Sequence, residues 1–368
     1  MLALLALLIL CLPLAQPIRQ APPDQEIEVS FAVIGGSRLG AEDVVRQRLS
    51  NPSSANLLEV HQTFEDIVKL PVIPRFTFMT GDVVNNLAVD HGETLRYQLE
   101  AWEQVVKDSV LWDRSELIPM AGNHEVLKVI GPNREVPNPA CYPIWERFVR
   151  DHGMARHGGN GPTDRPPNLD HLVGEQRYST YSFDYKSVHF LVVSTDSLSN
   201  VINPHARHPY SGWIPVHWIT RDLAAAQANP AIHSIFMLGH KPLREPFLGE
   251  EHTPIANARK HQLSMRLESL MLATPKFRAY LTGHEHLWEA AQIDPGGPWQ
   301  FIIGNGGTVL NHSFVRLGGY DGFTVVNVYK DDRVGLVNYR RPVPKPRYCE
   351  GTTTAALPQP EMILPPRR

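Results

Sequence analysis

Four apolar runs of this chain each end near a glycine that is followed by side chains able to bind a metal ion. The runs are rich in aromatic, β-branched and other apolar residues, which predicts buried strands. Ligands of open α/β sheets bind beyond the carboxyl ends of the strands, so these side chains are expected to meet in one crevice. An Asp after a strand often only closes a turn, but the repetition favours a site. The motifs are Gly81-Asp82, GNHE at 122–125, GHKP at 239–242 and GHEH at 283–286.

The composition is that of a globular protein without a nucleic-acid-binding surface. The chain has 368 residues, of which 42% are hydrophobic, and this suits one large α/β domain with insertions or two smaller domains. Its formal net charge is −3, with acidic and basic residues interspersed. Neither a basic field nor an acidic tail is therefore expected, and the binding partner has to be inferred from the site.

An apolar run at the start of the sequence predicts export. Residues 1–14 are almost all apolar and are followed by Ala15. The run is too short to span a bilayer but has the length of a signal-peptide core. We therefore predict a signal peptide over residues 1–15, a periplasmic or extracellular location and no transmembrane helix. The alternatives are a lipid anchor on Cys11, which the bulky Leu10 disfavours, and a buried N-terminal helix.

Cys141 and Cys349 remain once the signal peptide is removed. In an oxidising compartment these two cysteines can form one long-range disulfide, which would tie the C-terminal tail to the middle of the chain. Two free thiols are the alternative.

Periodicity predicts helices and strands in alternation, followed by strands alone. The predicted strands are 27–34, 75–80, 117–120, 178–185, 188–195, 235–238, 280–282, 299–303, 323–329 and 333–339, and the predicted helices are 57–68, 95–106, 213–228 and 259–272. We expect an α/β domain over residues 27–340, built on a mixed sheet or on two packed sheets. Residues 131–170 are predicted to be a loop-rich insertion with one short helical patch, and residues 341–368 an extended or disordered Pro-rich tail.

The side chains of the four motifs offer only oxygen and nitrogen donors. Such donors suit divalent or trivalent ions such as Zn, Mn and Fe, whereas a thiolate site would need cysteines that this chain lacks. Two such ions about 4 Å apart can bind a phosphoryl group and activate a water for attack on it. A carboxylate shared by both ions would join them.

The sequence resembles the calcineurin-like metallophosphoesterases, and among them it is most similar to the purple acid phosphatases. The motifs GDVVN, GNHE, GHKP and GHEH occur in that family's order with comparable spacing, and the stretch 181–196 and the glycine-rich turn 304–307 are also similar. The resemblance implies a sandwich of two mixed β-sheets flanked by helices. It also implies hydrolysis of a phosphomonoester or phosphodiester, most simply a small-molecule phosphate ester, by a metal-bound hydroxide.

The resemblance assigns a role to each motif residue by its position. Asp82 would bridge two metal ions, and the first ion would be completed by Asn123, His240 and His284. The second ion would be bound by Asp82 and His286, with the amide oxygen of Asn85 as a further candidate. His124 would lie beside the phosphate as an acid or as a charge stabiliser for the leaving oxygen.

The first motif, GGSRLG at 35–40, departs from the family pattern. Gly36 stands where the family has an Asp, and Arg38 stands where many members have a His. We therefore expect one firmly bound ion and a weak or absent second ion, since hard cations favour carboxylates. Restoring an Asp at position 36 is expected to restore the second ion.

Arg38 leaves two other possibilities open. As a catalytic residue, Arg38 could hold a phosphate oxygen with its forked cationic donors, and an Asp introduced at position 36 would then pair with Arg38. Alternatively, Arg38 could be an ordinary surface arginine. The alternative function is a weakened or inactive phosphatase-fold protein that binds metal or phosphate. The missing Asp at position 36 is the feature that favours this alternative.

Overall fold

The computed structural model describes residues 26–40, 57–132, 134–201, 212–247, 258–343 and 354–367. In this part of the chain the strands are β1 (Ile27–Ile34), β2 (Phe76–Met79), β3 (Glu116–Pro119), β4 (Leu127–Val129), β5 (Glu135–Pro137), β6 (Tyr181–Tyr185), β7 (Val188–Val193), β8 (Ser234–Gly239), β9 (Phe277–Thr282), β10 (Trp288–Gln292), β11 (Trp299–Ile303), β12 (Tyr320–Tyr329), β13 (Val334–Pro342), β14 (Leu357–Pro358) and β15 (Met362–Leu364). The helices are α1 (Leu57–Val68), α2 (Glu93–Lys107), α3 (Asn123–Val126), α4 (Cys141–Asp151), α5 (Val216–Ala228), α6 (Ala258–Leu272) and α7 (His312–Arg316).

Two mixed sheets contain most of the strands, as the resemblance implies. The first has the order β14-β13-β12-β1-β2-β3, and the second has the order β10-β11-β9-β8-β7-β6. In the first sheet β1, β2 and β3 are parallel, and in the second β7, β8, β9 and β11 are parallel. The strands β2, β3, β8 and β9 that precede the four motifs are therefore parallel strands, whose carboxyl ends point the same way within each sheet; β3 lies at the edge of the first sheet.

The core lies between the two sheets and is rich in phenylalanine. Phe31 of β1 packs edge-on against Phe190 of β7 and Phe236 of β8, with ring centroids 5.1 Å and 5.2 Å apart. Phe76 of β2 contacts Phe190 in the same way at 5.4 Å. These rings are fully buried. Each edge-on aromatic pair adds about 0.5–1.5 kcal/mol beyond its buried area, so the contacts hold the two sheets in a defined relation.

Most predicted elements have counterparts close to their expected bounds. Strand β1 and helix α1 coincide with the predicted ranges, and β6 and β7 form the predicted antiparallel hairpin. Strand β10 was not predicted. It pairs antiparallel with β11 at the edge of the second sheet, and its half-buried sequence WEAAQ lacks the alternation that marks a strand.

The predicted insertion contains more regular structure than expected. Strand β5 falls within residues 131–170 and pairs antiparallel with β4 to form a short hairpin. Helix α4 is longer than the predicted helical patch and buries Tyr142, Trp145 and Phe148. The hairpin was missed because its strands have only three residues each, too few for a period-two pattern to stand out.

Residues 354–367 of the tail that was predicted to be extended or disordered contain two short extended strands. Strands β14 and β15 pair antiparallel with β13 and extend the first sheet. Arg341, at the start of the predicted tail, is fully buried and forms ion pairs with Glu59 and Asp66 of α1. Asp66 also accepts a hydrogen bond from the backbone of Ala356 at 2.9 Å. The proline content of the tail is compatible with this pairing, because prolines are tolerated in edge strands.

Cys141, one of the two cysteines predicted to pair, is a free, buried thiol. Burial raises the pKa of this thiol to about 11, so it remains protonated at neutral pH. Cys349 lies outside the described residues, as do the predicted signal peptide and Cys11. Among the helices of the described residues, none combines the length and the hydropathy that crossing a bilayer would require.

Candidate metal centre

The four residues predicted to bind the first ion lie where the carboxyl ends of strands from both sheets meet. Asp82 follows β2, Asn123 begins α3 after β3, His240 follows β8, and His284 follows β9. Asp82 and His284 have left-handed backbones, with φ of 53° and 68°. Residues other than glycine rarely adopt this conformation, and the strained ones cluster at functional sites.

The ligand atoms of these residues converge. His240 Nε2 lies 2.9 Å from Asn123 Oδ1, 3.0 Å from His284 Nδ1 and 3.2 Å from Asp82 Oδ1. Asn123 Oδ1 lies 3.2 Å from His284 Nδ1. One carboxylate oxygen, one amide oxygen and two imidazole nitrogens thus surround one point. A metal ion bound at that point would stabilise such a cluster of lone pairs.

Hydrogen bonds on the outer side of the cluster fix which atoms face inward. His240 Nδ1 donates to the carbonyl of Thr80 at 2.7 Å, which directs its Nε2 toward the centre. Asn123 Nδ2 donates to both carboxylate oxygens of Glu135 at 3.3 Å and 3.2 Å, which directs Oδ1 toward the two histidines. Partners of this kind orient metal ligands in known sites. The residues present therefore fit a bound ion.

The groups around the centre shift the pKa values of His240 and His284 in opposite directions. Burial lowers the pKa of His240, but the Asp82 carboxylate outweighs burial and raises the pKa overall. Burial and the neighbouring His240 hold the pKa of His284 well below its usual value. Burial also opposes ionisation of Asp82, but His240, His124 and Arg38 together hold its pKa well below the usual value. Asp82 is therefore an anion, and His284 is a neutral imidazole with a lone pair to donate.

Glu125 joins the loops that carry Asp82 and Asn123. Its Oε2 accepts the backbone N–H groups of Gly122 at 2.7 Å and Asp82 at 2.9 Å, and its Oε1 accepts that of Val84 at 3.0 Å. Burial, with Asp82 nearby, raises its pKa to about 7. Gly122 permits this approach, because a Cβ there would lie 2.2 Å from Asp82 Oδ1. Glu125 was assigned no role from the sequence, although it is the last residue of GNHE.

His124 lies beside Asp82, but its ring does not hydrogen-bond to the Asp82 carboxylate. Its backbone N–H donates to Asp82 Oδ1 at 3.1 Å, and its Nε2 lies 3.9 Å from Asp82 Oδ2. Its Nδ1 is buried and makes no hydrogen bond to the described residues. Burial, followed by the charge of Arg38, lowers its pKa to about 3. The ring is therefore neutral at pH 7 and suited to donating a hydrogen bond.

The residues predicted for a second ion are arranged differently. Arg38 donates to Asp82 Oδ2 from Nε at 3.2 Å and from Nη2 at 3.0 Å. His286 donates from Nδ1 to the carbonyl of Val309 at 2.7 Å, and its pKa is lowered to about 3 by burial and then by Arg38. The backbone of Asn85 donates to Leu39 at 3.1 Å, while its side chain makes no hydrogen bond to the described residues.

Gly36 lies against the loop after β2, and this closeness contradicts the expectation that an Asp there would restore the second ion. A Cβ at Gly36 would lie 2.6 Å from the carbonyl oxygen of Gly81 and 2.8 Å from that of Asp82. Backbone atoms cannot yield as a flexible side chain can, so an Asp would displace the loop that carries Asp82. The glycine is therefore required by packing.

Three charged residues beside the centre were not predicted as site residues. Glu135 of β5 contacts Asn123, and its pKa is raised by burial despite the nearby Lys241. Lys241, in GHKP, is buried and donates from Nζ to the buried Asp196 at 2.6 Å. The lysine was visible in its motif, but its partner follows β7 in another part of the sequence, so only the fold brings them together.

Comparison with solved structures finds the same fold in a dimetal phosphatase from Danio rerio. That structure is 10% identical in sequence, with a TM-score of 0.55 over 90% of this chain and 98% of the other. GAP50, the anchor in the inner membrane complex of Plasmodium, gives 12% identity and a TM-score of 0.48 over 85% and 84%. A candidate 5′-nucleotidase from Staphylococcus aureus gives 13% and 0.43 over 92% and 54%.

No protein-family model matches the sequence, and no curated protein does. At 10% identity, the likeness to the dimetal phosphatase is one of fold. The chain therefore has the fold of that dimetal phosphatase, two mixed sheets flanked by helices, with the candidate ligands converging at its strand ends.

Proposed function

We propose that this protein is a metal-dependent hydrolase of phosphoric esters, similar to the purple acid phosphatases among the calcineurin-like metallophosphoesterases. One observation carries the proposal: lone pairs of Asp82, Asn123, His240 and His284 converge at the carboxyl ends of parallel strands. The donor set of imidazole, amide and carboxylate suits Zn, Mn or Fe. An ion bound there would polarise a phosphoryl oxygen and lower the pKa of a coordinated water.

The protein's own groups would orient the substrate and balance its charge. Asp82 supplies an anionic ligand, whereas Asn123, His240 and His284 are neutral donors in the ion-bound centre, so the centre keeps net positive charge for an anionic phosphate. His124 is neutral and buried beside Asp82, with its ring free to donate to a phosphoryl or leaving-group oxygen. A small phosphate ester is the substrate class that this chemistry favours.

The second candidate is a phosphatase-fold protein that binds metal or phosphate without turnover. The observation that favours it is Gly36, where the strand end supplies no carboxylate and has no room for one. The two candidates predict the same ion and differ only in turnover. Export is a further prediction of the sequence, to be checked by fractionation of the source cells.

The proposal is tested by metal content and hydrolysis measured on the same samples. Protein purified without chelators is assayed for bound metal and for cleavage of p-nitrophenyl phosphate and bis-p-nitrophenyl phosphate. His240→Ala and Asn123→Ala are each expected to lose both the ion and the activity. His233→Ala is the matched control, because His233 is exposed and pairs only with Asp332 among the described residues.

Unchanged metal content in His240→Ala would contradict the metal assignment. Bound metal without cleavage of either ester in the parent protein would favour the second candidate. Cleavage that persists at the parent rate in Asn123→Ala would contradict the proposed catalytic role of the centre.

A further inference from the structure

The two carboxylate oxygens of Asp82 face two different side chains. Oδ1 faces His240 Nε2 at 3.2 Å and accepts the backbone N–H of His124 at 3.1 Å. Oδ2 accepts two hydrogen bonds from the guanidinium of Arg38 at 3.2 Å and 3.0 Å. The oxygen that would bridge to a second ion is therefore already bound by a permanent positive charge.

The backbone holds Arg38 in this place. Its N–H donates to the carbonyl of Asp82 at 2.8 Å, and the N–H of Leu39 donates to the carbonyl of Val83 at 3.0 Å. Leu39 and Val84 form a parallel bridge, and Arg38 itself has a left-handed φ of 44°. The loop after β1 is thus fastened along the loop after β2. The Arg38 side chain, 22% exposed, is held at the centre and does not extend into solvent.

The remaining groups do not fit a second ion. Catalytic metal sites use about three protein ligands and leave another position open. Here Asp82 Oδ2 is taken by Arg38, and two neutral donors remain, the free nitrogen of His286, whose Nδ1 donates to Val309, and the amide oxygen of Asn85. Gly36 has no space for a carboxylate, because a Cβ would lie 2.6 Å from a backbone oxygen. The fold is that of a dimetal phosphatase, but the residues described above supply ligands for one ion.

We infer that Arg38 replaces the second metal ion: the centre binds one ion per chain, and Arg38 supplies the other positive charge and binds a phosphoryl oxygen of the substrate. Arg38 uses Nε and Nη2 on Asp82, and its Nη1 makes no hydrogen bond to the described residues, so two N–H groups can reach a phosphate. This inference rests on the proposed function for the first ion.

The inference is tested with Zn²⁺ and inorganic phosphate as probes on the full chain. The metal-depleted protein is titrated with Zn²⁺ by calorimetry, and phosphate is then titrated into the zinc-loaded protein. We expect one Zn²⁺ per chain. Arg38→Met should leave that stoichiometry at one and weaken phosphate binding by about 10- to 100-fold, the effect of losing a hydrogen bond from a charged group.

Arg38→Lys keeps the charge that Asp82 needs, so it tests the inference if the Met variant does not fold. Lysine lacks the fork that binds Asp82 and phosphate together, and phosphate binding should weaken by at least about threefold. Arg75→Met is the matched control. Arg75 precedes β2 at the end of the strand opposite Asp82, where it pairs with Glu116, and its loss should leave both titrations unchanged.

The outcomes separate this inference from the proposed function. Two Zn²⁺ per chain, or phosphate binding that is unchanged in both Arg38 variants, would overturn the inference while the metal centre stands. Failure of the parent protein to bind any Zn²⁺, Mn²⁺ or Fe²⁺ would instead overturn the proposed function, and the inference with it.

Discussion

Replacement of Glu135 should weaken metal binding, although Glu135 is not among the predicted ligands. Its carboxylate accepts both hydrogen bonds that Asn123 Nδ2 makes, at 3.3 Å and 3.2 Å. Without this acceptor, the amide of Asn123 can rotate so that its NH₂ group faces His240 Nε2 and His284 Nδ1. Those nitrogens would then accept hydrogen bonds, and the rotated amide would be favoured when no ion is bound.

The size of the effect follows from the cost of turning the amide back. Ion binding would have to break the new hydrogen bonds and leave Nδ2 without a partner, at about 1–3 kcal/mol. Since 1.4 kcal/mol is about a factor of ten, the dissociation constant for Zn²⁺ should rise by about 10- to 100-fold in Glu135→Ala. This range agrees with the usual effect of losing a residue that orients a ligand.

Calorimetric titration of the metal-depleted variants with Zn²⁺ measures the effect. Glu135→Gln removes the charge but keeps an oxygen that can accept from Asn123, so its affinity should lie within about tenfold of the parent. Glu175→Ala is the control, since Glu175 pairs with Arg165 at 2.9 Å on the surface of the protein.

Two results would refute this account of Glu135. Affinity that is unchanged in Glu135→Ala would mean that Asn123 does not need to be oriented. Equal weakening in Glu135→Ala and Glu135→Gln would mean that Glu135 acts only through its charge.

Two further predictions concern histidines in different environments. His124→Ala should retain the metal, because only the backbone N–H of His124 contacts Asp82 closely, while turnover of p-nitrophenyl phosphate falls by about 10²- to 10⁴-fold; loss of the metal would show that its role is different. His189 is buried between Asp184 and Asp222, and although burial lowers its pKa, the bonds to these carboxylates raise it above the usual value of 6.5 overall. The stability from this pair of bonds is therefore full below about pH 6.5 and is lost as the pH rises through the raised pKa. His189→Gln should lower the melting temperature more at about pH 6 than at about pH 9, and an equal loss at both values would contradict the assignment.

The positions of the candidate ligands could be predicted from the sequence because they depend on local pattern. An apolar run of four to eight residues that ends at a glycine specifies a buried strand and its end, and β2 and β8 have the expected locations. Parallel strands of one sheet bring their carboxyl ends to one edge, so Asp82 had to lie near Asn123, and His240 near His284, once each sheet formed. The packing of the two sheets then brings these two pairs together. The order of the motifs along the chain led to the same prediction of the candidate ligands.

Contacts between distant segments were decided only by the tertiary structure. Glu135 reaches Asn123 because a three-residue strand pairs with β4, and so short a strand leaves no periodic signal. The tail pairs with β13, and Arg341 of β13 is buried against α1, nearly three hundred residues earlier in the sequence. Proline content could not reveal either the strand pairing or the ion pairs.

The first motif, residues 35–40, shows within one site which features the sequence determines and which features only the structure decides. The sequence by itself determined that Gly36 supplies no carboxylate and that Arg38 is a permanent cation. Only the structure decided that a Cβ at Gly36 would meet the backbone of the next loop, and that the guanidinium lies on Asp82 Oδ2. The physical reason is that free space and ion pairing depend on how closely two loops approach, and their approach is set by the packing of β1 beside β2.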